Sequence, residues 1–358
     1  MTGFSDAAQI ASRDQARGEP AQAPAPAAPM EIEVTRGAMV ESRHRVRFAV
    51  SDGAGRLLRH GGDPEAPIYA RSAIKPLQAL ALVETGAAEA YGLGDAEIAL
   101  ACASHAGEPR HIETVTAWLE RIGLAIEDLE CGAHLPSREP AAHAMIRHGA
   151  AARAIHNNCS GKHSGFLTTA LQLGAPTEGY IRYEHPVQQR VLGILESLTG
   201  LDLGGAPRGI DGCGIPVIGI PLGNIALAFA RFAAPDDQPE ARQAACARIR
   251  RAMAAEPFMV AGTGRFCTDL MTATGETVLV KTGAEGVYCA ALPTLGLGIA
   301  LKAEDGAGRA AECAMAGLLR ELGVLSEAAQ AALTERFEKP LRNWAGTEVG
   351  RIKPATSA

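Results

Sequence analysis

The residues of this sequence that could do chemistry begin with Ser72 and Lys75, three positions apart in the stretch RSAIKP. On a helix, side chains at this spacing lie on one face, so hydroxyl and amine can meet with little help from the rest of the fold. A partly desolvated, uncharged lysine can take the proton of a serine hydroxyl and make it a nucleophile. A helix-capping serine beside a solvated lysine is the simpler alternative for so short a motif.

A second short motif, Lys281-Thr282-Gly283, follows far downstream in a segment of strand composition. S-x-x-K followed by K-T-G is the order of the penicillin-recognising signature, in which the second lysine places a positive charge near the nucleophile. The S-D-N element of that signature is absent. Its nearest counterpart is CASHAGEP, where Ser104 is either a second active hydroxyl or a capping or buried serine.

A third group combines thiols with basic side chains. Cys159, Lys162 and His163 lie within the stretch HNNCSGKHSG, and Cys213 lies in GIDGCGIP. One interpretation is a cysteine nucleophile with His163 as its base. Another is a metal site that gathers both cysteines, where two thiolates favour zinc over magnesium or calcium. Two buried thiols beside a polar loop are the third interpretation, and spacing alone leaves all three open.

Composition excludes several classes of function. The chain has 358 residues, 47% of them apolar, with a formal charge of −6 and a pI near 6.0. We therefore expect a folded protein with a large core and with neither nucleic acid nor a membrane surface as its partner. Eight scattered cysteines without a C-x-x-C, and an N-terminus without an apolar stretch, indicate reduced thiols and a cytoplasmic location.

The pattern along the chain predicts one catalytic domain. Residues 1–29 are rich in Ala and Pro, and we expect a disordered extension there, followed by a single domain over residues 30–358. Strand-like segments occur near both ends of that domain, and the middle, about residues 77–260, is mostly helical apart from a polar loop at residues 156–163. This order predicts an α+β fold, with one antiparallel sheet built from both chain ends and helices packed on it, as in serine β-lactamases.

Five motifs occur in a fixed order along the chain. They are RSAIKPLQ, CASHAGEP, HNNCSGKHSG, GIDGCGIP and KTGAEGVY. In this order they resemble the L-asparaginase II family, the rhizobial-type or class 3 asparaginases, over about residues 30 to 356. The resemblance implies a fold similar to that of serine β-lactamases and Ser/Lys glutaminases. It also implies hydrolysis of L-asparagine to L-aspartate and ammonia, and a homodimer.

The same resemblance implies roles for individual residues. Two neighbouring Ser–Lys pairs are expected, Ser72 with Lys75 and Ser104 with Lys281, and sequence does not choose which serine attacks. A zinc-type site that tunes substrate binding is expected from Cys159, Lys162 and Cys213.

Substrate binding needs further polar groups. A cation, for which Arg71 is the candidate, is expected to hold the α-carboxylate of the substrate. Asp211, which would lie beside the metal, and His163 complete the candidate substrate-binding residues. A β-lactamase or penicillin-binding type of acyl-serine hydrolase, and a metal-binding protein without turnover, are the alternative functions.

Overall fold

The computed structural model describes residues 27–355 of the chain. The extension predicted for residues 1–29 therefore lies outside the described residues, except for residues 27–29. The carbonyl of Ala27 accepts a hydrogen bond of 2.7 Å from the backbone N–H of Gly62, so the described chain begins in contact with the fold.

Eight antiparallel strands from the two ends of the described chain form the main sheet. The strands of the chain are β1 (Met30–Arg36), β2 (Met39–Asp52), β3 (Leu57–Gly61), β4 (Pro67–Tyr69), β5 (Arg208–Ile210), β6 (Pro216–Pro221), β7 (Leu279–Thr282), β8 (Val287–Leu292), β9 (Leu297–Ala303), β10 (Lys339–Arg342) and β11 (Glu348–Pro354). The order across the sheet is β10-β11-β1-β2-β9-β8-β7, and β3 pairs with β2. Because β2 pairs with β9, the first and last thirds of the chain meet at the centre of the sheet. The predicted α+β class and the sheet built from both chain ends are confirmed.

The middle of the chain is largely helical, as predicted. The helices are α1 (Lys75–Gln78), α2 (Leu80–Glu84), α3 (Ala87–Ala90), α4 (Asp95–Ala101), α5 (Pro109–Arg121), α6 (Glu139–Arg147), α7 (Ser160–Gln172), α8 (Pro186–Thr199), α9 (Leu222–Ala233), α10 (Glu240–Ala255), α11 (Pro257–Ala261), α12 (Phe266–Thr274), α13 (Gly308–Glu321), α14 (Glu327–Ala332) and α15 (Thr334–Phe337). Short 3₁₀ turns occupy Arg71–Ile74, Ile126–Asp128, Ala154–His156 and Gly275–Thr277. Within residues 27–355, no helix combines the length and the apolar character that crossing a bilayer requires.

Helices cover both faces of the sheet at its centre. Successive side chains of a strand point to opposite faces, and residues 299–301 of β9 are all completely buried. Helix α9 packs on β2, β8 and β9, and α13 packs on the same strands and on β1 and β11. The approach of α9 is close at Gly298, where a Cβ would overlap the backbone of Ala226 and Ala230.

Three parts of the fold differ from the sequence prediction. Residues 160–163, predicted as part of a polar loop, form the first turn of α7. Every residue of that helix from Ser160 to Ala170 is buried, so no amphipathic period marks it in the sequence. A second, three-stranded sheet, β4-β6-β5, and the hairpin β10–β11 were not predicted, because strands this short or this exposed lack a clear apolar alternation.

We predict that Gly298→Ala destabilises the protein by about 1 to 3 kcal/mol, because the new Cβ meets helix backbone that cannot move aside. Urea unfolding measures the change. Gly193→Ala on α8 is the matched control: a Cβ there meets nothing within 4 Å, and alanine should be neutral or stabilising by up to about 1 kcal/mol. Equal stabilities for the two variants would contradict the close approach of α9.

Candidate active site

The first candidate pair lies on a 3₁₀ turn that leads directly into α1. The backbone N–H of Lys75 donates to the carbonyl of Ser72, which closes the turn. In this geometry side chains three positions apart eclipse each other, so the hydroxyl and the amine leave the turn on one side. Ser72 is half-buried, whereas Lys75 is 1% exposed. The Ser72 hydroxyl has no hydrogen-bond partner among residues 27–355.

The residue before Ser72 has an unusual backbone conformation. Arg71 has a φ of +51°, in the left-handed region that residues other than glycine seldom occupy. Its guanidinium holds Asp211, with Nε and Nη2 at 2.8 Å and 2.7 Å from Oδ1 of the carboxylate. Strained backbone persists only where its surroundings fix it, and such residues cluster at functional sites. The ion pair therefore helps to fix the backbone that enters the turn of Ser72.

The carboxylate of Asp211 is held in its charged form. Burial acts to raise the pKa of Asp211, but the hydrogen bond from Arg71 and the positive charges of Lys162 and Arg71 outweigh it. The pKa of Asp211 consequently lies below its usual value. Two opposite charges thus sit side by side at the approach to Ser72, partly buried, with the Arg71 side chain 26% exposed and that of Asp211 10% exposed.

The second serine, Ser104, lies between two buried lysines. Its Oγ is 3.2 Å from Nζ of Lys75 and 2.9 Å from Nζ of Lys281. The amine of Lys75 also donates to the carbonyl of Ala103, and that of Lys281 donates to the carbonyl of Thr282 at 2.6 Å. The structure therefore brings together the lysine of each predicted pair on one hydroxyl, and a proton can pass along the three groups.

Burial decides the charge of Lys281. The side chain is 1% exposed, and this desolvation, together with the positive charge of Lys75, lowers the pKa of Lys281 to about 7. An ammonium loses most of its hydration when it is buried, so the neutral amine is favoured. Near neutral pH, Lys281 is consequently present in both protonation states, as a group that accepts and returns protons needs to be.

The end of strand β7 can approach the turn of Ser72 because the next residue, the last of the K-T-G motif, is a glycine, Gly283. A Cβ on Gly283 would lie 2.7 Å from the carbonyl oxygen of Ala70 and 3.1 Å from the backbone nitrogen of Ala73. Any larger residue would push the strand end away from the 3₁₀ turn. The glycine of the K-T-G motif thus allows Lys281 and Ser72 to occupy neighbouring parts of the fold.

Two thiols and two amines form a second cluster next to the first. Nζ of Lys75 is 3.1 Å from Sγ of Cys159, and Nζ of Lys162 is 3.0 Å from Sγ of Cys213. A hydrogen bond from the Cys213 thiol, with the charges of the two lysines, holds the pKa of Cys159 well below its usual value despite burial. The same hydrogen bond and burial raise the pKa of Cys213. Lys75 therefore contacts both clusters.

The two thiols of this cluster suit zinc, but they make a site only if Lys162 also acts as a ligand. No group of three or more His, Cys, Asp or Glu side chains within residues 27–355 is arranged to hold a metal ion. Cys159 and Cys213 offer two soft sulfur ligands, and Lys162, whose Nζ is 3.0 Å from Cys213 Sγ, offers a third donor. Burial acts to lower the pKa of Lys162, but the neighbouring thiols outweigh it and raise the pKa. A metal would therefore have to displace protons from the cluster as it binds.

His163, a candidate for substrate binding, is completely buried on α7. Its Nδ1 lies 2.7 Å from the hydroxyl of Tyr180, and its Nε2 has no partner among the described residues. Burial, then the charges of Lys162 and Lys75, hold the pKa of His163 well below its usual value, so the imidazole is neutral. The contact with Tyr180 therefore holds the start of α7 against the segment that carries Tyr180.

A narrow cleft adjoins the turn of Ser72. Arg71 and Asp211 lie at its polar part, and most of the remaining lining is apolar. The lining residues are Ala70, Arg71, Ile74, Gln78, Tyr183, Gln188, Val191, Leu192, Leu195, Asp211, Ile215, Pro216, Val217 and Ile218. Arg71 and Ile74, on either side of Ser72 in the turn, line this cleft, whereas Ser72 itself, Ser104 and the two lysines do not.

Sequence reasoning missed two contacts that define the site. It paired Lys75 with Ser72, but the Lys75 amine contacts Ala103, Ser104 and Cys159. The contacts with Ser104 and Cys159 span 29 and 84 positions, so no local spacing could reveal them. The side chains of His105 and Ser160, which also meet across the site, were likewise not predicted to contact each other.

Comparison with solved structures finds proteins of low sequence identity. Mglu is 15% identical to this chain, with a TM-score of 0.45, and the match covers 78% of this chain and 67% of Mglu. Mglu in its tris and glutamate form is also 15% identical with a TM-score of 0.45, and that match covers 83% of this chain and 63% of Mglu. A β-lactamase from Mycobacterium bovis is 13% identical, with a TM-score of 0.36 over 82% of this chain and 95% of its own. The chain thus spans about two thirds of the length of Mglu. A comparison with curated proteins gave no match.

Comparison with protein families gives a match over nearly the whole described chain. The profile of the L-asparaginase II family matches residues 32–354. This range contains all five motifs on which the resemblance was based, together with both clusters of the site. The predicted resemblance is confirmed, and this chain belongs to the L-asparaginase II family.

Proposed function

We propose that this amidohydrolase converts L-asparagine to L-aspartate and ammonia, with Ser72 as the nucleophile. The observation that carries the proposal is the Ser104 hydroxyl held between the amines of Lys75 and Lys281, next to the turn that bears Ser72. In this proposal Ser72 supplies the free hydroxyl, and Lys75, three positions later on the same turn, connects it to the buried proton path through Ser104.

Arg71 and Asp211 are proposed to select the substrate. An α-amino acid carries an ammonium and a carboxylate on one carbon, and the neighbouring Arg71 and Asp211 offer the opposite charges. In this proposal the α-carboxylate contacts Arg71 and the α-ammonium contacts Asp211, which directs the side-chain amide toward Ser72. For His163, the remaining candidate, the contact with the hydroxyl of Tyr180 supports a role in holding α7 beside this site.

The acylation step follows from the proposed roles. Ser72 Oγ attacks the side-chain carbonyl carbon of asparagine while a proton moves from Ser72 through Lys75 and the Ser104 hydroxyl to the neutral amine of Lys281. The tetrahedral intermediate collapses as its C–N bond breaks, and Lys75 returns the proton to the departing nitrogen, which leaves as ammonia. The product is a β-aspartyl ester on Ser72.

Deacylation reuses the same groups. A water molecule attacks the ester carbonyl and gives its proton to Lys75, and aspartate leaves as Ser72 Oγ regains a proton. Within each step Ser104 relays the proton between Lys75 and Lys281, whose pKa of about 7 lets it take and return protons near neutral pH. Ser72 suits the nucleophile's role because it is half-buried and its hydroxyl has no partner within the described residues.

Zinc is proposed to bind at the thiol cluster, held by Cys159, Cys213 and Lys162. When bound, it would place a positive charge beside Asp211 and the substrate's polar groups. The proton on Lys162 leaves as the metal enters, which makes binding stronger at higher pH. In this proposal the cluster tunes substrate binding and does not provide the nucleophile.

A cytoplasmic homodimer is also proposed, the dimer on the resemblance to the family. The location is supported by the cysteines: all eight lie within residues 27–355, and each is buried and unpaired with another cysteine in a disulfide. Reduced thiols of this kind are typical of proteins from reducing compartments.

We predict that Ser72→Ala and Lys75→Ala each lower kcat for asparagine on the order of a thousandfold or more, because each removes a group of the covalent step. Ammonia release measures the loss. Ser51→Ala, which removes another buried hydroxyl on β2, should keep wild-type activity. Mass spectrometry of acid-quenched enzyme should find the β-aspartyl ester on the peptide of Ser72, and an ester on Ser104 would exchange the roles of the two serines.

We predict that kcat/KM rises with pH through a midpoint of about 7, since Lys281 must lose its proton before it can accept one. Lys281→Arg should be poorly active at every pH because the guanidinium stays charged. Lys302→Arg, a change of the same kind on β9, should leave the profile unaltered. A wild-type profile that is flat between about pH 6 and 8 would contradict the role of Lys281.

We predict that Cys159→Ala and Cys213→Ala lose the bound zinc that the wild-type protein retains after purification, because each removes a sulfur ligand. Metal analysis of the purified proteins measures the stoichiometry. Cys246→Ala removes a buried thiol of α10 outside the cluster and should not alter it. Unchanged zinc in Cys159→Ala, or equal loss in Cys246→Ala, would refute the proposed ligands.

A further inference from the structure

Ser104 lies on a stretch of backbone without regular secondary structure, residues 103–108. Backbone hydrogen bonds hold it at only a few points: Ser104 N–H donates to the carbonyl of Val260 at 3.0 Å, and His105 N–H to that of Asn158 at 3.2 Å. The proposed relay nevertheless requires the Ser104 hydroxyl to stay within reach of two amines. Something beyond the local backbone must therefore fix its position.

The imidazole of His105 makes two hydrogen bonds that fix its tautomer. The backbone N–H of Gly107 donates to Nδ1 at 3.1 Å, and Nε2 lies 2.9 Å from Oγ of Ser160. Because an N–H can only donate, Nδ1 is an acceptor, and the ring proton of a neutral imidazole is then on Nε2. His105 consequently donates a hydrogen bond to Ser160.

The ring of His105 is fixed from its face as well. It stacks on His111, with ring centroids 5.0 Å apart, and His111 stacks on Phe258 at 4.6 Å. His105 is 1% exposed, and burial together with the neighbouring charges of His111 and Lys75 holds its pKa well below the usual value. The imidazole is thus neutral and held in one orientation, with its Nε2–H directed at Ser160.

Ser160 lies on the other side of the site. It is the first residue of α7, directly after Cys159 and two positions before Lys162. The hydrogen bond from His105 to Ser160 consequently spans 55 positions of the chain and ties the Ser104 stretch to the helix start that carries the thiol cluster.

We propose that the hydrogen bond between His105 Nε2 and Ser160 Oγ is a clasp that positions the Ser104 hydroxyl between Lys75 and Lys281. The inference rests on the proposed function, because it assigns His105 and Ser160 as positioning residues for the proposed proton relay. Neither residue exchanges a proton with the substrate. Loss of the clasp leaves the groups of the site in place but lets the Ser104 stretch move away from one of the two amines.

Two substitutions of His105 separate the clasp from mere packing. The amide of His105→Gln extends to the place of Nε2 and can still donate to Ser160. That of His105→Asn ends near the place of Nδ1 and can accept from Gly107, but it cannot reach Ser160. Both remove the stacked ring, so a role in packing alone affects them equally.

We expect His105→Asn and Ser160→Ala each to lower kcat for asparagine by about tenfold to a hundredfold with little change in KM, as is typical when a positioning partner is lost. His105→Gln stays within about threefold of the wild type. The double variant His105→Asn/Ser160→Ala is no worse than either single variant, because both remove one interaction.

Ser164→Ala is the matched control for Ser160→Ala. It removes a buried hydroxyl one turn further along α7, where Ser164 Oγ donates to the backbone carbonyl of Ser160 and does not contact His105. Its kcat should match the wild type. Equal losses in His105→Gln and His105→Asn, full activity in Ser160→Ala, or additive losses in the double variant would each overturn the clasp.

A readout that needs no turnover separates failure of the clasp from failure of the proposed function. In protein labelled with ¹⁵N-histidine, the clasp requires a neutral, Nε2-protonated His105 whose proton signal moves in Ser160→Ala and stays in Ser164→Ala. A cationic His105 near pH 6, or the Nδ1-protonated tautomer, overturns the clasp. If these signals are as expected and the wild type releases no ammonia from asparagine, the proposed function is wrong and the hydrogen bond stands.

Discussion

Two lysine amines share one serine hydroxyl in the interior of this protein, at 3.2 Å and 2.9 Å from the same oxygen. Two ammonium groups cannot both remain charged at this separation in a buried site without a large cost, since burial and like charge act in the same direction. Lys281 relieves the conflict by giving up its proton easily, with a pKa of about 7. Lys75 instead has the thiol of Cys159 as a neighbour that can carry negative charge.

The fold makes this arrangement possible by joining parts that are distant along the chain. Lys281 comes from the edge strand of the main sheet, Lys75 from the first turn of a helix, and Ser104 from an irregular stretch between two helices. The glycine at position 283 lets the strand end approach the turn of Ser72 at backbone distance. Because each group stands on or is tied to a rigid element, the geometry does not depend on a single flexible loop.

The thiol cluster and the serine cluster act on each other through Lys75, which contacts Ser104 on one side and Cys159 on the other. A change in the charge on the thiols therefore changes the electrostatic environment of the Lys75 amine, which the proposed mechanism uses in proton transfer. The ion pair of Arg71 and Asp211 lines the cleft, and Asp211 also interacts with the charge of Lys162 in the thiol cluster. The groups proposed for substrate recognition, proton transfer and metal binding are consequently neighbours.

The sequence by itself determined the family, the α+β class and the sheet built from both chain ends, and it named the serines, lysines and cysteines that the fold gathers into two clusters, because motifs such as RSAIKP and KTG encode local geometry and side-chain chemistry. It did not reveal α7 at residues 160–163, since a helix buried on all sides shows no apolar period. Only the tertiary structure decided that Lys75 contacts Ser104 and Cys159, and that His105 reaches Ser160. These contacts join positions 29 to 84 residues apart, and only the folding of the whole chain sets such distances.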